Sequence, residues 1–147
     1  MHLEELKFAL CAFVGKPLVW EDAAVLLPLD DGSEIVLEYD ADDDEIVLCG
    51  TVVRISRERL AACAVSLLEA NLLGGETGGS AVLAYDPEHE KLVLWDRMRP
   101  SVMDVEAFRD RLSRFYLVNR HWSERMQSEL LDKAEKEPFR FLTRMRG

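Results

Sequence analysis

Long apolar runs are missing from this sequence of 147 residues. The longest candidate, from Leu60 to Leu73, is interrupted by Ser66, Glu69 and Asn71, whereas a membrane-spanning helix needs roughly 20 consecutive apolar residues. Two glutamates stand within the first five residues, where a signal peptide would be basic. We therefore predict no membrane partner and a cytoplasmic location.

Paired cysteines and clustered histidines are missing too. The three cysteines, Cys11, Cys49 and Cys63, are odd in number and form no Cys-x-x-Cys pair, which argues against a disulfide framework or a zinc site. We interpret them as small hydrophobic residues of the core. The three histidines stand at no spacing typical of metal ligands or of a catalytic base.

Basic residues are scarce in the first two thirds of the chain. Residues 1–100 contain 8 Lys/Arg against 20 Asp/Glu, a net charge of −12, whereas residues 101–147 contain 10 against 8, a net charge of +2. Phosphates would be repelled by such an acidic body, so we predict no nucleic-acid partner. The same charge favours solubility and could attract a basic partner.

One acidic turn resembles a calcium-binding loop but lacks residues that such a loop needs. Asp40, Asp42 and Asp44 have the spacing of the first three ligands of an EF-hand. Glu45 stands where that loop requires glycine, and Thr51 where it requires glutamate. We predict a solvated turn and no metal site.

A glycine-rich loop at 74–79 lacks the Gly-Lys-Ser/Thr ending of a phosphate-binding loop. It also precedes a predicted strand, so it offers no helix N-terminus to an anion. We interpret it as a flexible connector. We expect no cofactor, no small-molecule substrate and no catalytic residues. An enzyme with an unrecognised carboxylate pair remains an alternative, because Asp and Glu are abundant.

Hydrophobic periodicity predicts an α+β protein in which helices pack on a twisted antiparallel sheet. A helix comes first, then a three-stranded antiparallel meander, a second helix, a β-hairpin and a long third helix. The predicted elements are a helix over 3–14, strands over 24–29, 34–39 and 45–53, a helix over 56–73, strands over 80–85 and 91–95, and a helix that begins near 101.

Local signals predict where the helices begin and end. Ser56 is a suitable N-cap for the middle helix, and Ser101 with Asp104 resembles a capping box for the last one. Pro138 should end any helix that reaches it. We predict one domain over 1–130 and a C-terminal extension over 131–147, whose last residues form a mobile tail.

The middle helix is apolar nearly all round, although a helix on a sheet needs only one apolar stripe. A second copy of the chain could cover its other side, so we predict a homodimer. The alternative is that the long third helix covers this side within one chain. The predicted dimer residues are Leu60, Ala61, Ala64, Val65, Leu68 and Leu72.

Several motifs occur in an order that carries a family resemblance. Leu67-Leu68-Glu69-Ala70-Asn71 ends the middle helix, a glycine-bearing loop follows, and a strand begins near Ser80. The hairpin over 85–94 and the opening helix with Phe13-Val14-Gly15 complete the set. Over about residues 1–130 this order resembles the class I type III secretion chaperones, the group that contains the chaperone of the Tir effector.

The resemblance implies a cytoplasmic homodimer that holds the N-terminal segment of a secreted effector in a non-globular, secretion-competent form, without a nucleotide or a metal. It places the client on the first helix and on exposed apolar faces of the strands. The residues that we expect there are Leu6, Leu10, Phe13, Leu27, Leu29, Leu94 and Trp95. The alternative for each of these side chains is ordinary packing in the core. The alternative for the protein is an adaptor or regulatory module of the same fold that works outside secretion.

Overall fold

The computed structural model describes the backbone of residues 1–146 and the side-chain surroundings of residues 1–130. Four helices, six strands and two short 3-10 turns follow one another in the described residues. They are α1 (Leu3–Val14), β1 (Trp20–Glu21), β2 (Ala24–Pro28), β3 (Glu34–Asp40), β4 (Glu45–Arg54), α2 (Arg57–Ala61), α3 (Ala64–Asn71), the turn Leu72–Gly74, β5 (Val82–Asp86), β6 (Lys91–Met98), the turn Pro100–Val102 and α4 (Val105–Arg146).

The six strands form one antiparallel sheet in the order β1-β2-β3-β4-β6-β5. This confirms the predicted α+β architecture, with its meander (β2–β4) and its later hairpin (β5–β6). Strand β1 was not predicted, since a strand of two residues is too short to show alternation.

One face of the sheet forms the core, because alternate side chains of a strand point to the same face. In β4 the buried residues are Ile46, Leu48, Gly50 and Val52. Helix α4 lies against this strand, and α1 lies against α4. The core-facing stripe of α4 consists of Phe108, Leu112, Phe115, Asn119, Trp122 and Met126.

Glycine at position 50 allows α4 to approach the sheet closely. A Cβ atom there would lie 2.4 Å from the side-chain oxygen of Asn119, which is closer than packed atoms can sit. Gly50 therefore sets the distance between α4 and β4.

The predicted middle helix is two helices. Ser56 caps α2 as predicted, and its hydroxyl accepts a 3.4 Å hydrogen bond from the backbone N–H of Arg59. The helix ends after Ala61, however, and Cys63 (φ −120°, ψ 9°) separates it from α3.

Two predictions about α4 are wrong. The residue that caps the helix is Asp104, whose carboxylate accepts a 2.7 Å hydrogen bond from the backbone N–H of Ala107; Ser101 lies in the preceding 3-10 turn. Helix α4 also continues through Pro138 to Arg146, so the proline does not end it. The side chains of the predicted extension, 131–147, lie outside those described. No helix in the described part of the chain combines the length and apolarity that crossing a membrane requires.

Candidate protein-binding surfaces

Helix α3 turns one apolar side to the protein and another to solvent. Leu67 and Ala70 are buried, and the helix packs against β5. The opposite side carries large apolar residues that no side chain described over residues 1–130 covers: Leu68 and Leu72 are each 70% exposed and Leu73 is 94% exposed. We call the exposed residues Val65, Leu68, Leu72 and Leu73 the α3 face.

The α3 face contains three of the six predicted dimer residues: Val65, Leu68 and Leu72. Ala61 is exposed and Ala64 is half-buried, so both stay candidates for the same interface. The prediction that Leu60 lies in the dimer interface is wrong, because its side chain belongs to the hydrophobic core. Leu73 was not predicted. It adopts a left-handed backbone conformation (φ 54°) at the end of the helix, which periodicity does not reveal.

The asparagine of the family-like motif attaches α3 to the edge of the sheet. The side-chain Nδ2 of Asn71 donates a 2.9 Å hydrogen bond to the carbonyl of Leu83, and its Oδ1 accepts a 2.8 Å bond from the N–H of Leu83. The amide thus pairs both backbone groups of an edge-strand residue, as a neighbouring strand would. The α3 face is therefore held outward, and strand addition at this point of β5 is blocked.

The glycine-rich loop is bound to α4, so the prediction that it is a flexible connector is wrong. The indole N–H of Trp122 donates a 2.8 Å hydrogen bond to the carbonyl of Glu76. The Arg125 guanidinium lies 4.6 Å from the Trp122 ring centroid and 3.9 Å from a carboxylate oxygen of Glu76. Thr77 is buried. Helix α4 thus fixes the segment that follows the α3 face.

The face of the sheet that points away from the core carries an apolar row. In register, Leu26 lies beside Val36, Val36 beside Cys49, Cys49 beside Trp95, and Trp95 beside Val82. These five residues therefore form one row that crosses five neighbouring strands, perpendicular to the strand direction. Leu26 is exposed and the other four are half-buried, and burial raises the pKa of the Cys49 thiol. We call these five residues the apolar row.

A groove of about 530 Å³ lies at the Leu26 end of the apolar row, on the edge formed by β1 and β2. Seven of its eight lining residues are apolar, and the eighth is Glu21. The complete lining is Pro17, Val19, Glu21, Ala24, Val25, Leu26, Pro28 and Val36. We call it the β2 groove.

Four predicted client-binding residues belong to the core. Leu6, Leu10, Leu27 and Leu94 are 0–1% exposed, so they cannot contact a partner in this conformation. In the strands, the prediction chose the wrong face of the sheet. Neighbouring side chains of a strand point to opposite faces, so Leu27 points into the core and Leu26 points outward.

The other three predicted client-binding residues are half-buried. Phe13 and Leu29 pack against the edge of the core, and Trp95 belongs to the apolar row. The outward side of α1 carries instead Phe8, which is exposed.

The acidic turn uses its carboxylates within the protein. One oxygen of Asp40 accepts hydrogen bonds from the backbone N–H groups of Asp42 (2.9 Å) and Asp43 (3.0 Å). Asp44 accepts bonds from the backbone N–H and the hydroxyl of Ser101. Over residues 1–130, no three His, Cys, Asp or Glu side chains are grouped so as to hold a metal ion.

The one buried ion pair described within residues 1–130 ties α4 to β6. Asp96 is almost fully buried, and the Arg111 guanidinium donates to both its carboxylate oxygens at 2.8 and 2.9 Å. The hydroxyl of Ser80 donates a third bond to Asp96. This pairing raises the pKa of Arg111, and its bidentate geometry fits a role in packing.

Solved structures of similar fold include chaperones in complex with effectors. The HopA1–SchA chaperone–effector complex gives a TM-score of 0.61 at 14% identity and covers 84% of this chain and 98% of its own. The ExoU–SpcU complex of the Pseudomonas aeruginosa type III secretion system gives 0.60 at 24%, covering 82% and 93%. YbjN of E. coli, described as a candidate transcription regulator, gives 0.66 at 15%, covering 88% and 94%.

These identities establish a shared fold and nothing further. No curated protein sequence matches the chain. The sequence model of the Tir chaperone protein family, however, matches residues 9–123, which is most of the chain. The match spans the second half of α1, the whole sheet, α2, α3 and the first half of α4. The chain therefore belongs to the Tir chaperone protein (CesT) family.

Proposed function

We propose that this protein is a cytoplasmic, homodimeric chaperone that binds the N-terminal region of a secreted effector and keeps it non-globular and competent for secretion. The observation that carries the proposal is the presence of two separate exposed apolar surfaces, the α3 face and the apolar row, on one small chain. Exposed apolar patches usually mark sites of interaction with other proteins. Family membership, and chaperone–effector complexes among the similar folds, support the same function.

The α3 face is the proposed dimer interface. Isologous dimers bring the same patch of two copies together, and four large apolar side chains on α3 and the 3-10 turn that follows it supply a self-complementary patch. Ala61 and Ala64 lie beside it and are small enough for a partner helix to approach closely. The Asn71 amide holds the face from within, and the Trp122–Glu76 hydrogen bond holds the segment that follows it, so the face is formed before the partner arrives.

The apolar row and the β2 groove are the proposed client surface. The row crosses the strands, so a client segment lying along it would place successive apolar side chains over Leu26, Cys49 and Trp95. Phe13 and Leu29 remain candidates at the margin of this surface. Binding through side-chain pockets leaves the client backbone non-globular, as secretion competence requires.

Co-purification from the native host tests the proposal. The tagged protein should bring down a larger secreted protein, and a truncated form of that protein without its N-terminal region should no longer bind. A partner that is not secreted would refute the chaperone proposal. It would favour the alternative, an adaptor or regulatory module, for which the similarity of fold to YbjN is the specific observation.

A further inference from the structure

The β2 groove combines an apolar floor with an acidic rim. Leu26 is 57% exposed and Val19 is 81% exposed, and both line the groove. Glu21 is also in the lining. Glu38 is the cross-strand partner of Ala24, so its side chain lies on the same face as the groove. The groove thus has room for one or two large apolar side chains with carboxylates beside them.

The carboxylates of this rim are not neutralised by the protein. Within residues 1–130, Glu21 and Glu38 are exposed and neither makes an ion pair or a side-chain hydrogen bond. Two negative charges therefore lie beside whatever enters the groove.

The basic residues next to the groove are already paired. Lys16, which precedes the lining residue Pro17, pairs with Asp30. Lys7 lies over the Trp20 ring, 5.3 Å from its centroid. Neither of these cations pairs with Glu21 or Glu38.

We infer that the β2 groove selects client segments in which a large apolar side chain is flanked by lysine or arginine. The inference rests on the proposed function and specifies its client class. The apolar anchor supplies affinity by entering the groove, and the flanking cations face Glu21 and Glu38. A segment flanked by Asp or Glu would meet like charges and be rejected, so the rim acts through repulsion as well as attraction.

Two synthetic peptides of equal length test the selectivity. Both carry the same Leu and Phe anchors; one has Arg and the other Glu at every flanking position. Because exposed pairs are individually weak, the combined preference of the wild-type protein for the Arg peptide should be about tenfold in Kd, measured by fluorescence anisotropy at low salt. Equal affinity for both peptides, or binding of neither, would overturn the inference.

Charge reversal at the rim makes the test specific to the groove. In the double variant Glu21→Lys with Glu38→Lys, the preference should invert toward the Glu peptide. Leu26→Asp should abolish binding of the Arg peptide. Leu117→Asp, at a position on α4 that is 61% exposed and outside the groove, is the matched control and should bind as the wild type does. Circular dichroism verifies that each variant is folded.

The native partner separates failure of this inference from failure of the proposed function. If a secreted effector co-purifies equally with the wild type and with Leu26→Asp, the groove is not its site, and the chaperone function stands without the inference. If no effector co-purifies but the peptide preference inverts as expected, the proposed function fails and the charge selectivity of the groove stands. Loss of the effector in Leu26→Asp but not in Leu117→Asp supports both.

Discussion

At the scale of single residues, the Asp96–Arg111 pair is the contact whose removal should cost most. Arg111→Met leaves the buried Asp96 carboxylate without its cation, and such a loss costs about 3–5 kcal/mol of the free energy of unfolding. Arg97→Met is the control, because Arg97 is largely exposed and pairs with Glu45 at the surface, where a pair contributes about 0–1 kcal/mol. Urea unfolding of both variants checks the difference. Equal costs would show that Asp96 is solvated in solution.

The hydrogen-bonded pair Asp44–Ser101 should make the stability of the protein depend on pH. The hydrogen bond from the Ser101 hydroxyl lowers the pKa of Asp44 below its ordinary value of 3.8. A carboxyl whose pKa is lower in the folded state stabilises the protein above its unfolded pKa, and this contribution is lost as the pH falls through the folded pKa. Stability should therefore fall below about pH 4, as protons bind the unfolded chain preferentially.

Ser101→Ala removes most of that contribution. The variant should have a lower Tm than the wild type at neutral pH, and the difference between them should shrink as the pH is lowered toward 3. Differential scanning fluorimetry across this range measures the effect. A difference in Tm that stays constant with pH would mean that Ser101 acts by packing alone.

At the scale of elements, α3 is the helix on which the proposed assembly depends. Leu68→Glu should convert the proposed dimer into a folded monomer, because the side chain is exposed in a single chain but would be an unpaired charge inside an interface. Light scattering gives the mass and circular dichroism the fold. Leu117→Glu, exposed on α4, should remain dimeric. A dimer that persists in Leu68→Glu would place the interface elsewhere.

The helices and strands also show which parts of the fold can be predicted from sequence patterns. Strands β2 to β6 were predictable as apolar segments bounded by turn signals, and helices α1 and α4 from their periodic apolar stripes. Leu27 was misplaced since an apolar run such as Ala24–Leu29 shows no alternation, so its phase could not be read. The kink at Cys63 and the anchoring of Glu76 by Trp122 depend on contacts between distant segments, which local periodicity does not encode.

At the scale of the whole molecule, charge and apolar surface should control different steps of client binding. The net charge of −12 over residues 1–100 attracts a basic client before contact, and salt screens this attraction over about 10 Å at 0.1 M. The association rate should therefore fall steeply as salt rises. The apolar row and the β2 groove act after contact, so the dissociation rate should change little.

Stopped-flow fluorescence with the N-terminal region of the co-purified effector measures both rates. Between about 0.05 and 0.5 M salt, the range in which the Debye length shrinks severalfold, the association rate should fall more than the dissociation rate rises. Trp95→Asp should instead raise the dissociation rate without lowering the association rate, because it removes an apolar contact from the row while adding to the long-range attraction. An association rate that ignores salt would show that the acidic body serves solubility alone.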